Sequence, residues 1–178
     1  AHLHIQKLHH GEMWMVMLWL NKGNSSWAQE TDAGPGKSGT SAFSQAASWA
    51  DVDGDGRLDL FVANRRSANE LWLNKADGTW VQKTDAGPGK SGTFTYSRAA
   101  SGGDVDGDGR LDLFVANHLV QNHHGDNELW LNKGNGSWAQ KTDAGPGQSG
   151  TSASSFDASW GDVDGDGRLD LFVANRRS

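Results

Sequence analysis

The chain has 178 residues, enough to bury one ordinary core, so a single domain is expected. Its net charge of −6 is local, because twelve of its 22 acidic residues sit in three identical loops while its 16 basic residues are scattered; this argues against a nucleic-acid surface or a charged membrane contact. Cysteine is absent, which excludes disulfides, and no apolar run approaches the roughly 20 residues that cross a membrane.

The chain begins at Ala1 without an initiator methionine, as expected of a processed product or a piece of something longer. Ala1-His-Leu-His-Ile-Gln-Lys-Leu-His-His-Gly11 looks like a diverged copy of Asn117-His-Leu-Val-Gln-Asn-His-His-Gly125, and so reads as a loop insert preceding a strand. The longest apolar run, Met13 to Leu20, has no small-residue cleavage site after it and is not read as a signal peptide. It leads into Leu18-Trp-Leu-Asn-Lys22, a polar turn and Trp27. Next comes Thr31-Asp-Ala-Gly-Pro-Gly-Lys-Ser-Gly-Thr40, whose Gly-Pro-Gly (Gly34 to Gly36, with copies at Gly87 to Gly89 and Gly145 to Gly147) reads as a connection between structural units. It lacks the setting of a phosphate-binding loop.

A strand is expected near Ala46 to Ala50, and then Asp51-Val-Asp-Gly-Asp-Gly-Arg-Leu-Asp59 runs into Leu60-Phe-Val-Ala-Asn64. Leu58, Leu60 and Val62 alternate with Asp59, Phe61 and Ala63, the period of a strand. Leu71-Trp-Leu73 and Thr79 to Lys83 are two more strands, joined across an Asp-Gly hairpin turn.

The whole pattern then recurs. Asp104 to Asn117 and Asp162 to Asn175 repeat Asp51 to Asn64 without change, and Leu71 to Lys75 and Leu129 to Lys133 repeat Leu18 to Lys22. The aspartate loops are 53 and then 58 residues apart, the longer interval carrying an insert around His118 to Gly125. Four-stranded repeats of about this length point to an all-β fold of β-propeller blades, each of four antiparallel strands. The repeats run approximately over residues 1–45 (partial), 46–98, 99–156 and 157–178 (partial), about three blades in one domain. Closed propellers usually need at least four blades, so a segment of a larger ring, or a ring completed by a homo-oligomer, is expected.

Each loop sets carboxylates at its positions 1, 3, 5 and 9: Asp51, Asp53, Asp55 and Asp59; Asp104, Asp106, Asp108 and Asp112; Asp162, Asp164, Asp166 and Asp170. Carboxylates so close repel unless a cation sits among them, and oxygen ligands on a flexible, glycine-rich loop suit Ca²⁺. Position 7 (Arg57, Arg110 or Arg168) would add its backbone carbonyl, with the side chain pointing away. An EF-hand is excluded, since its twelfth position needs a bidentate Glu and here holds Val62, Val115 or Val173. Three Ca²⁺ ions would bring the net charge to zero.

The run DVDGDGRLDLFVAN, followed by NELWLNKADGTWVQKTDAG, resembles the FG-GAP/VCBS repeats of integrin-like β-propellers, and most of all the repeats that accompany ASPIC/UnbV-type domains in bacterial and algal secreted proteins. The resemblance extends from about Leu18 to Asn175. It implies a calcium loop between the first and second strands of each blade, with the ligands named above. It also implies an extracellular or cell-surface place in adhesion proteins, lectins or scaffolds.

The in-register Trp19, Trp72 and Trp130, and Trp27, Trp80 and Trp138, read as blade packing, with sugar stacking as the alternative. His2, His4, His9, His10, His118, His123 and His124 read as solvated, with a transition-metal site as the alternative. Asn24 and Asn135 head glycosylation sequons at equivalent turns. The spare acids, Glu70 and Glu128 among them, fall mostly at repeat-equivalent positions, which is unsuited to a unique pair of catalytic carboxylates. The expected function is a non-catalytic, calcium-stabilised extracellular module for protein interaction, adhesion or assembly; a lectin is the alternative, and a polysaccharide-active enzyme a more distant one.

Overall fold

In the computed structural model the described residues are 2–8, 13–30, 35, 43–85, 87–89, 95–118, 126–142 and 154–176. They form thirteen β-strands and no α-helix. The strands are β1 (His2–Leu8), β2 (Met13–Gly23), β3 (Ser26–Glu30), β4 (Phe43–Ala50), β5 (Asp59–Ser67), β6 (Glu70–Asn74) and β7 (Trp80–Lys83). After them come β8 (Thr95–Gly103), β9 (Asp112–Asn117), β10 (Glu128–Gly134), β11 (Ser137–Lys141), β12 (Ser154–Gly161) and β13 (Asp170–Arg176).

Two complete blades are antiparallel meanders in chain order, β4-β5-β6-β7 and β8-β9-β10-β11. β12 and β13 pair as the first two strands of a further blade. The expected four-stranded repeat is therefore present, with the aspartate loop between its first and second strands. The inner strands β4, β8 and β12 pack side by side. One short ladder joins successive blades: the end of β5 leaves its own blade and pairs Arg65 with Tyr96 and Ser67 with Thr95 of β8. Arg66 makes that step as a bulge with φ 64, a left-handed conformation that a non-glycine residue adopts only under constraint.

The first unit differs from the expectation of a loop insert. His2–Leu8 is a strand, paired with β2 over seven residues from His2 opposite Trp19 to Leu8 opposite Met13. It takes the place that β5 and β9 hold beside β6 and β10. The physical reason is the edge of β2, whose unpaired backbone groups need partners; a short segment that alternates polar and apolar residues supplies them.

β5 has the two expected faces, and both are buried. Leu60, Phe61, Val62 and Ala63 are all buried, while Leu58 lies before the strand and is 55% exposed. A blade is covered on both faces, so both sets of side chains are apolar. Leu60 and Val62 pack with Trp49, Trp72 and Trp80 on one face. Phe61 and Ala63 meet Leu113 and Val115 of β9 on the other. Phe114 and Ala116 then face Leu171 and Val173 of β13. Each inter-blade layer thus joins the Phe and Ala of one second strand to the Leu and Val of the next.

Trp49, Trp72, Trp80, Trp130, Trp138 and Trp160 belong to these layers, whereas Trp27 is 46% exposed. Trp49 and Trp80 pack with ring centroids 6.3 Å apart, and Trp160 meets Phe114 edge to face at 6.3 Å. The indole N–H groups of Trp72 and Trp130 donate to Glu70 (2.8 Å) and Glu128 (2.7 Å). Trp138 lies over Gly87 in the turn from the preceding blade, where a Cβ would come within 2.3 Å of its ring. The hairpin tips Asn24-Ser25 and Asn135-Gly136 have positive φ at both residues, the geometry of a tight two-residue turn; both sequon asparagines are exposed there.

Candidate metal sites

Each aspartate loop leaves the end of an inner strand and re-enters the sheet as the second strand. The alternating glycines are needed at Gly54 and Gly56 (φ 77 and 82), which coil the loop back on itself. Asp51 holds that coil. Its Oδ1 accepts the backbone N–H groups of Gly54 (2.9 Å) and Asp55 (3.1 Å), and its Oδ2 that of Gly56 (2.8 Å). Asp104 and Asp162 repeat this pattern.

Position 9 ties the loop to the sheet. Asp59 is 1% exposed, and its carboxylate accepts from Val52 N–H (2.9 Å) and from Asn74 N–H of β6 (2.8 Å). Asp112 does the same with Val105 and Asn132. Burial pushes the carboxyls of Asp59 and Asp112 above their ordinary value, and the neighbouring loop aspartates add to the rise. A buried carboxylate with like charges around it is the setting a cation relieves.

In the first loop, oxygens of Asp51, Asp53 and Asp59 lie within 4.8 Å of one another. The third loop brings Asp162, Asp164 and Asp170 together in the same way, and the second Asp104, Asp106 and Asp108. Asp55, Asp112 and Asp166 stand outside these triads. Asp55 Oδ1 instead accepts the N–H of Arg57 (3.0 Å), and Asp166 Oδ1 that of Arg168 (2.9 Å).

The arginine side chains correct the expectation that they point away. Arg57 folds back, pairing with Asp55 through Nη2 and donating from Nε to the Asn74 carbonyl (2.9 Å). Arg110 pairs with Asp108 and donates to Asn132 in the same manner, and Arg168 pairs with Asp166. The guanidinium is the nearest cation to a crowded carboxylate cluster, and charge-assisted hydrogen bonds draw it in.

Two further groups escaped the sequence reading. Lys75, just after β6, reaches Asp53 Oδ2 (2.8 Å), and Lys133 reaches Asp106 Oδ2 (2.9 Å). Burial alone would raise the Asp53 carboxyl, but Lys75 turns the balance and holds it below its ordinary value; Lys133 does the same for Asp106. The recurrence of Lys22, Lys75 and Lys133 after each Leu-Trp-Leu-Asn was the available signal. Asn132 is the other: its Nδ2 donates to the Val52 carbonyl (2.8 Å), tying the first loop to the next blade.

The donor set fits a hard cation. Asp53 Oδ1 is buried and has no hydrogen-bond donor, while Lys75 occupies only the other oxygen. That leaves one carboxylate oxygen for a metal ion beside those of Asp51 and Asp59. The three aspartate triads can therefore each hold a metal ion.

The histidines form no such set among the described residues. His9, His10, His123 and His124 lie outside them. His118 sits among arginines, which with burial hold its imidazole below the ordinary value.

A family model for the FG-GAP-like repeat matches the chain three times, over residues 10–62, 51–115 and 104–173. No curated protein matches it. No helix among the described residues is long and apolar enough to cross a membrane.

Proposed function

The chain belongs to the FG-GAP-like repeat family, and from that premise we propose that it is a non-catalytic propeller module, stabilised by one Ca²⁺ per aspartate loop, that serves protein interaction, adhesion or assembly outside the cell. The observation that carries the calcium reading is Asp53 Oδ1, a buried carboxylate oxygen without a donor, on a member of a triad of aspartates. The ligands are those expected from the loop: Asp51, Asp53, Asp55, the Arg57 carbonyl and Asp59, with their counterparts in the other two copies.

The ion's role is architectural. The first two loops are bonded through Asp59 and Asp112 to the third strand of their own blades, so a cation among the aspartates locks the turn that positions the buried second strand. Extracellular modules hold Ca²⁺ at roughly 10⁻⁴ to 10⁻³ M, a strength that suits loops as exposed as these. The non-catalytic reading is supported by Glu70 and Glu128, which are engaged by tryptophan and asparagine side chains inside the blades.

Thermal unfolding in CaCl₂, in MgCl₂ and in excess EDTA tests the reading. A clear fall in Tm on chelation, restored by Ca²⁺ and not by Mg²⁺, is expected; a melting curve indifferent to EDTA refutes it. A glycan array with and without Ca²⁺ separates the interaction module from a lectin, since calcium-dependent retention on glycans would assign the surface to carbohydrate.

A further inference from the structure

The face opposite the aspartate loops carries a different chemistry. It lies at the start of the inner strands and the end of the second strands, roughly 20 Å from the loops by the rise of β5. Every described blade contributes two positions there. The first is a bulge residue of the inner strand, left out of the pairing register: Gln45 in β4, Arg98 in β8 and Phe156 in β12. The second follows the repeated Phe-Val-Ala-Asn: Arg65, His118 and Arg176.

The second and third blades hold these positions on the same frame. Ser97 donates to the Asn117 side chain and Ser155 to that of Asn175, both at 2.7 Å. The side chains presented on that frame differ from blade to blade. A bulge re-aims a side chain out of the sheet, and here it turns the first set toward the second. Arg98 stacks on the Phe156 ring (5.1 Å to its centroid), and His118 meets the same ring at 5.3 Å.

The cluster is cationic and incompletely bonded. Arg98 donates through Nη1 to Gln45 (2.8 Å), yet its Nε is buried without an acceptor. Arg65 Nε and His118 Nδ1 are also buried without partners. The charges acting on Arg98 and His118 come from cations: Arg65 on the former, and Arg98, Arg65 and Arg176 on the latter. Burying guanidinium donors beside one another without an acceptor is costly. An oxyanion placed among them would accept those donors and offset the mutual repulsion, and the guanidinium fork matches carboxylate, sulfate and phosphate geometry.

We propose that Arg65, Arg98, His118 and Arg176 form a binding site for an oxyanion group, a carboxylate, sulfate or phosphate, on the propeller face opposite the aspartate loops. Phe156 supplies an apolar wall that fixes Arg98, and Gln45 orients it from the neighbouring blade. The site draws on three blades and does not involve the aspartate loops, so its test is independent of calcium.

The experiment follows the arginine Nε–H resonances of the calcium-supplemented protein by NMR. Acetate, sulfate and phosphate are titrated separately, with NaCl compensating ionic strength. Saturable shifts confined to a few arginines, with Kd at or below about 1 mM for at least one anion, are expected. A planar carboxylate site would favour acetate, and a tetrahedral one sulfate or phosphate. Arg98→Gln should weaken binding roughly tenfold or more, because it removes charge-assisted hydrogen bonds. Arg176→Ala, at an exposed position that leaves folding intact, should weaken it as well. Absence of saturable shifts with all three anions overturns the proposal, as does unchanged affinity in both variants.

Discussion

Replacing Asp59 with alanine separates the structural from the metal-binding duty of an aspartate loop. In the folded protein the Asp59 carboxylate is the acceptor for two backbone donors, Val52 N–H and Asn74 N–H, and it is 1% exposed. Alanine leaves both donors without a partner where water has little access. Each orphaned donor costs about 1–3 kcal/mol, hence roughly 2–6 kcal/mol for the pair. The lower half of that range is expected, because the substitution also removes a carboxylate that burial disfavours. Asp51→Ala is the partner experiment. The three N–H groups that Asp51 accepts lie in an exposed loop, where water replaces the carboxylate at a cost of about 1 kcal/mol or less. Both variants lose one cation site, worth about 1.4 kcal/mol at a Ca²⁺ concentration tenfold above Kd. Urea unfolding followed by tryptophan fluorescence, in EDTA and in CaCl₂, measures both quantities. Asp59→Ala should be strongly destabilised in EDTA, Asp51→Ala weakly, and both should show a smaller calcium increment than the parent. Equal destabilisation of the two in EDTA, or an undiminished calcium increment in both, would refute the reasoning.

Gly87→Ala places a methyl group at φ 73 and within 2.3 Å of the Trp138 ring, so backbone strain and overpacking together should cost about 2–5 kcal/mol. Gly136→Ala has the same φ but meets only the flexible end of Lys83 at 3.4 Å, and should cost about 1–2 kcal/mol; similar unfolding midpoints for the two would count against the inter-blade contact. Glu128 tests the pH dependence: burial raises its carboxyl above the ordinary 4.5, against the pull of Trp130 and Asn117. A raised folded-state value means that its stabilising contribution is complete below pH 4.5 and lost as the pH rises through the folded value. The stability difference between Glu128→Gln and the parent should therefore move in favour of the variant from pH 4 towards neutrality, and a difference constant across that range would contradict the assignment.

Much of this molecule was legible because it is written three times. The period of the aspartate loops, the alternation after them and the Asp-Gly turn identified four-stranded blades, and the strand observed at Phe43–Ala50 encloses the segment expected at Ala46 to Ala50. The aspartates were equally plain, since carboxylates at alternate positions of a glycine-rich loop have few other uses. Their partners were not, because Asn74 and Asn132 lie in strands, and Lys75 just beyond one, that only folding brings to the loop.

The tertiary structure decided three things that local pattern does not encode. It made His2–Leu8 a strand, because an open sheet edge recruits backbone partners whatever the side chains. It set the neighbours of each copy of an identical sequence: Phe61 packs with Leu113 and Val115 of the next blade, and Phe114 with Trp160, Leu171 and Val173. It also gathered Arg65, Arg98, His118 and Arg176 at one end of the blades, three of them following the repeated Phe-Val-Ala-Asn and Arg98 at a strand bulge. Sequence repetition thus specified the blade and its loop through local backbone chemistry, while burial, charge pairing and the convergence of the arginines depended on which blade packs beside which.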